Sequence, residues 1–176
     1  MGTYYTYLIS SLPMLNFSTM LPLSLDKLFA KCKDLIPETK IEFLRNACYQ
    51  EPYLLNTVSG TTLGKWANFE IALRNELARA RARRKKIDPL KFERLPESPE
   101  AHISHVAMSA YRSISILEAE KILDLARWNF LDSLSINHYF DFDFLLVYAL
   151  KLKILERWDR IRKADKESLF NAAALN

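Results

Sequence analysis

The chain predicts an all-α fold, a bundle of about seven helices with a candidate short strand or extended segment at its N-terminus. Three observations carry that prediction. Apolar residues recur at helical spacing along most of the chain. Helix-start residues precede several of those stripes. Glycine occurs only 3 times in 176 residues. Glycine costs a helix interior about 1 kcal/mol and is favoured in tight turns and phosphate-binding loops, so its scarcity favours helices. Hydrophobic residues make up 49% of the chain, enough to build a core.

The segment Thr3–Ser10 is aromatic and β-branched and reads as the candidate strand, ended by Ser11-Leu12-Pro13. Ser24 is a candidate N-cap, with Asp26 in the first turn of a helix carrying Leu25, Leu28, Phe29, Cys32, Leu35 and Ile36. Pro37 restarts the chain, and a second helix carries Ile41, Leu44, Ala47 and Cys48. A loop follows over 56–62. A long third helix is expected from Thr62 to Lys86, with Trp66, Phe69, Leu73, Leu77 and Ala80 as its apolar stripe. Asp88-Pro89 stops it, and Pro89, Pro96 and Pro99 mark a hinge over 88–99. Ser98-Pro99-Glu100 opens the next helix, with Ile103, Val106, Ala107, Ala110 and Tyr111. Ser115 and Glu118 form a capping-box pattern before Ile116, Ala119, Leu123, Ala126 and Phe130, flanked by Leu125, Trp128 and Leu131. That width implies burial on two sides. Phe142, Leu145, Tyr148, Leu152 and Leu155 define another helix, and a last weak one is expected over Lys166–Leu175. The organisation expected is a helical part over 1–87, a Pro-rich hinge over 88–99 and a helical part over 100–176, together one compact domain.

Two cysteines, Cys32 and Cys48, are too few for a secreted disulfide framework and read as free thiols. Residues 3–25 carry no charge, but lack a basic flank and are interrupted by Pro13, Asn16, Ser18 and Pro22. The stretch Phe142–Trp158 is broken by Asp143, Lys151, Lys153, Glu156 and Arg157. Neither reads as a signal peptide or a membrane span, so a cytoplasmic protein is expected.

The net charge of +4 conceals a local concentration. Between residues 74 and 86 stand Arg74, Arg79, Arg81, Arg83, Arg84, Lys85 and Lys86 against the single acid Glu76. That window is +6, so the rest of the chain sums to −2. On a helix, Arg79, Arg83 and Lys86 line one face and Arg74, Arg81 and Lys85 another. Cations also suit a helix C-terminus. The run reads first as a partner-contact surface. The alternative is a nucleic-acid-binding module, although the interspersed residues are Ala and Leu rather than base-stacking aromatics.

No catalytic, cofactor or metal site is expected. His102 and His105 have a spacing that can share a helical face, but no third ligand accompanies them. His138 lies near Asp141 and Asp143, a pairing that can make a general base, yet no nucleophile accompanies it. No phosphate-loop, dinucleotide or nucleophile-elbow pattern occurs, so nucleotide binding is not expected.

Four segments, in order, resemble a bacterial family. They are Tyr4-Tyr5-Thr6-Tyr7-Leu8-Ile9-Ser10-Ser11-Leu12-Pro13; Asn68-Phe69-Glu70 through Leu73-Arg74-Asn75-Glu76-Leu77 into Arg79-Ala80-Arg81-Ala82 and Asp88-Pro89; Arg127-Trp128-Asn129-Phe130-Leu131-Asp132; and His138-Tyr139-Phe140-Asp141 followed by Tyr148 to Trp158. The family is encoded beside V-type ATPase genes and described as similar to the C-type adaptor of V-type ATP synthases. The resemblance implies an all-helical, non-catalytic adaptor between the membrane rotor ring and the central stalk. Its partners would be stalk or rotor subunits, and it would sit peripherally at the inner face of the membrane through that complex. The C-type adaptors are longer, built from three related helical parts, so the resemblance also admits a shortened adaptor or an assembly accessory.

Overall fold

The structure, a computed structural model, describes residues 3–51, 54, 57–58, 60–92, 94 and 101–174. Among them stand seven α-helices and no strand: α1 Thr3–Ser10, α2 Leu25–Cys32, α3 Glu38–Tyr49, α4 Thr62–Lys85, α5 Ala101–Arg112, α6 Ile116–Leu134 and α7 Phe142–Ala174. A 3-10 turn at Pro89–Lys91 follows α4. The all-α expectation holds. The helices fall into two compact units, residues 1–48 with 135–176, and residues 49–134. This grouping differs from a cut at the 88–99 prolines. The expected helix start at Ser98-Pro99-Glu100 lies outside the described residues.

The candidate strand at the N-terminus is instead α1. Leu8 and Ile9 are buried and Tyr5 is half-buried, the i, i+3, i+4 spacing of one helical face. β-branched and aromatic residues favour a strand only where a pleated neighbour receives them. With no strand among the described residues to pair with, the backbone bonds internally, and Ser11 closes the helix by donating Oγ–H to Leu8 O at 2.7 Å.

In the first unit, α7 receives the other segments in succession. The Phe142 ring meets Tyr5 and Phe43 edge-on, at 6.4 and 5.6 Å between centroids, and Lys40 Nζ lies 4.3 Å from its centre. Tyr148 donates its hydroxyl to Pro13 O at 2.8 Å, Phe17 meets Trp158 at 6.3 Å, and Arg162 reaches Thr19 O at 3.4 Å. Residues 5–19 therefore run alongside α7 from its start to its third quarter. The chain then turns back, and Leu25 N donates to Glu156 Oε1 at 2.6 Å. Glu156 thus receives the first turn of α2, whose Ser24 caps Lys27 N as the sequence indicates. Every residue of α7 from Leu145 to Leu150 is buried, as are Leu152, Ile154 and Leu155. A helix apolar all round must be covered all round. The separate weak helix expected from Lys166 does not exist, because α7 continues to Ala174. No proline or glycine interrupts residues 142–174, so nothing breaks its hydrogen bonds.

In the second unit, α4 packs on α5 and α6, and α5 on α6. Phe69 of α4 and Phe130 of α6 stack with centroids 4.2 Å apart and planes 8° from parallel, and Trp66 extends the stack at 6.0 Å from Phe69. Thr61 caps α4 by accepting from Gly64 N at 3.1 Å. Gly64 has a packing role as well. A Cβ there would run into the Val58 carbonyl oxygen and lie 3.1 Å from Thr61 Oγ1. That carbonyl already accepts from Thr61 N and Thr61 Oγ, so it is not free to move aside. Gly64→Ala is therefore expected to destabilise by about 1–3 kcal/mol, against the helix-propensity gain of about 1 kcal/mol. A urea midpoint that rises instead would contradict this.

The expected two-sided apolar burial of α6 is corrected. Leu123, Trp128 and Leu131 are buried, but Ile116, Leu117 and Leu125 are exposed. The buried side instead includes the acid Asp124, only 2% exposed. The capping box is half formed. Glu118 N donates to Ser115 Oγ, while the Glu118 carboxylate accepts from Ser113 Oγ at 3.0 Å. Among the described residues no helix is long and apolar enough to cross a membrane.

Candidate functional site

The basic run occupies the last turns of α4 and its cap. Its seven cations divide sharply by what they touch. Arg74 Nη1 lies 2.5 Å from Glu51 Oε2, and its Nε lies 3.8 Å from Glu70. Arg79 Nη1 lies 2.5 Å from Glu76 Oε1. Arg81, Arg83, Arg84, Lys85 and Lys86 are exposed, and none forms an ion pair among the described residues. The first cation of each face is paired with an acid, and the later ones are left to solvent. The candidate contact surface thus contracts from residues 74–86 to residues 81–86.

The local sequence explains the arrangement. Ala80 and Ala82 are buried, so α4 remains packed up to its last turn while its longer side chains point away. Lys86 takes a left-handed conformation, φ 55°, and its N–H bonds back to Ala82 O and Arg83 O. Asp88 then caps the 3-10 turn by accepting from Leu90 N at 3.0 Å. Buried Asn75 fixes the returning chain. Its Nδ2 donates to Arg94 O at 2.7 Å and its Oδ1 accepts from Arg94 N at 3.0 Å. Ile87, Leu90 and Phe92 are left exposed beside the cations.

A second electrostatic feature lies inside the same unit. Arg127 of α6 places Nε 2.6 Å from Glu70 Oε1 and Nη1 2.8 Å from Asp124 Oδ1. Both acids are at least 95% buried by side chain. Burial works against the Arg127 charge, but Glu70 and Asp124 outweigh it and hold the guanidinium pKa above its ordinary value. No buried side-chain nitrogen or oxygen among the described residues lacks a partner. Sequence reading missed this network. Its signal was present, since Glu70 follows Trp66 by four residues and falls within the apolar stripe of α4.

His138 and Asp141 do meet, Nδ1 to Oδ2 at 2.6 Å, and with Asp143 they form a group whose ligand-capable atoms lie within 4.8 Å. The local role of Asp141 is structural. It is the N-cap of α7, its Oδ1 accepting from Phe144 N at 2.9 Å. Partial burial works to raise its pKa, but the bonds from His138 and Phe144 outweigh it and set the pKa below its ordinary value. Such a carboxylate stabilises the fold fully above pH 3.8 and loses that contribution as pH falls through its lower folded value. Asp141→Ala is expected to cost about 1 kcal/mol at neutral pH. The difference from wild type should shrink below pH 3.8 in thermal melts. An unchanged difference on acidification would contradict it.

His102 and His105 both lie at exposed positions of α5. Neither belongs to a group of three potential ligand residues among the described ones. Burial pushes the Cys32 thiol up to about 11 and the Cys48 thiol up to about 12, leaving both as poor nucleophiles.

The segments that carry the family resemblance meet in pairs. Asn68-Phe69-Glu70 joins Arg127 to Phe130 through the ring stack and the buried ion pair. Pro13, which ends the first segment, accepts from Tyr148 of the last. These residues are joints of the fold. A family model described as a protein of unknown function (DUF2764) matches residues 105–173. No curated protein matches, and no solved structure matches. The matched stretch includes Arg127 and Asp141, while Glu70 and the basic end of α4 lie outside it.

Proposed function

We propose that the chain is a non-catalytic helical subunit or accessory of a V-type rotary ATPase, working through contacts with stalk or rotor subunits. The observation that carries a docking role is the group of five exposed cations at the end of α4 that form no ion pair among the described residues. Interior charges elsewhere are matched to partners, as Arg127 is to Glu70 and Asp124. Cations left at one helix end call for an anionic counterpart. Such complementarity sets orientation and association rate more than affinity. The choice of a rotary ATPase rests on the sequence resemblance to the family of C-type adaptors.

Affinity purification of the full chain from its native cells, with mass spectrometry of what accompanies it, tests the reading. Rotary-ATPase stalk or rotor subunits are expected in the eluate. Recovery of the chain as a free monomer while that complex is intact would overturn it.

A further inference from the structure

We infer that the end of α4 docks on an anionic membrane surface, with the helix meeting the lipid headgroups end-on. The inference deepens the docking role proposed above and rests on reading this helix end as a contact surface.

The positions of the cations set the direction of approach. Arg81 and Lys85 belong to one face of α4, and Arg83 and Lys86 to another, with Arg84 beside the first. A partner lying along the helix reaches one face alone. A surface crossing the helix axis reaches both, and an anionic leaflet is broad and laterally mobile enough to supply charge all round.

The apolar neighbours fit the same surface. Lys86 turns the chain away from the helix axis, and the next residues expose Ile87 at 45%, Leu90 at 73% and Phe92 at 54%. Residues 81–92 carry six cations, Arg81, Arg83, Arg84, Lys85, Lys86 and Lys91, against Asp88, a net +5. Asp88 is already turned toward Leu90 N. A dense cationic group with a few apolar tips is the composition that binds at the headgroup boundary without spanning the bilayer. At the end of α4, Ala82 O and Arg83 O accept from Lys86 N, and Ala82 O also from Ile87 N, so part of the helix end is already satisfied within the chain. A nucleic-acid surface is less well matched, because Ala80 and Ala82 between the cations are buried and offer nothing to bases.

Sedimentation of the purified full chain with phosphatidylcholine vesicles, with and without phosphatidylserine, tests this. Binding is expected only with phosphatidylserine, weakening as salt is raised. Each cation should contribute about fivefold, so Arg81→Ala with Lys85→Ala, and Arg83→Ala with Lys86→Ala, should each weaken binding by roughly 25-fold. Leu90→Ser with Phe92→Ser should weaken binding while leaving its salt dependence in place. All these side chains are exposed, and unchanged circular dichroism would confirm that the variants fold. The inference is overturned by absence of binding to phosphatidylserine vesicles, by equal binding to phosphatidylcholine alone, or by sensitivity of only one face. Binding to duplex DNA or RNA without vesicle binding also overturns it. Co-purification of rotary-ATPase subunits without vesicle binding overturns the inference and leaves the proposed function standing. Vesicle binding without those subunits supports the inference and counts against the rotary-ATPase assignment.

Discussion

Arg127→Ala is expected to destabilise the protein by about 3–5 kcal/mol, because it removes the buried cation that Glu70 and Asp124 share. The guanidinium spans Glu70 and Asp124 with three contacts, at 2.6, 2.8 and 3.4 Å. Planar geometry lets one side chain serve two carboxylates on different helices. Without it, among the described residues Glu70 keeps only the Arg74 cation, 3.8 Å away and itself engaged with Glu51. Arg127→Lys is expected to recover only part of the loss, since an ammonium cannot reproduce the fork. Adding Glu70→Gln and Asp124→Asn to Arg127→Ala should restore part of the stability by removing the unmatched charges. Urea denaturation with circular dichroism measures all three. A loss below about 1 kcal/mol for Arg127→Ala would show that water or a neighbour compensates and that the network is weak.

Leu152→Ala should lower stability by about 2–5 kcal/mol. Leu152 is fully buried on α7, within a stretch where nearly every residue is buried. Truncation removes apolar contact and leaves a cavity that a tightly packed interior closes only in part. Lys153→Ala, one residue along and exposed, should change stability by less than about 0.5 kcal/mol. Equal effects at the two positions would mean that α7 is not buried as described. Guanidinium denaturation of both variants decides this.

Much of this architecture was legible in the sequence. The apolar stripe from Trp66 to Ala80 and the Asp88-Pro89 stop locate α4 from Thr62 to within a residue of Lys86. Ser24 and the Leu25, Leu28, Phe29, Cys32 spacing locate the start of α2, which stops at Cys32, short of the expected Leu35 and Ile36. The failures have specific causes. Thr3–Ser10 has strand-like composition, but composition cannot reveal the missing partner strand. Asp124 looks solvent-facing until its pairing with Arg127 is known, and Glu70 requires a cation from 57 residues away. The cation faces of α4 follow from helical periodicity alone. Which cations remain unpaired does not, because Glu51, distant in sequence, neutralises Arg74.

The central proposal is that this chain works on a rotary-ATPase complex. Its most direct test is recovery of complex subunits on the tagged full chain from its native cells. The account predicts stalk or rotor subunits in the eluate. Their absence, or the chain as a free monomer in cells with an intact complex, would contradict it.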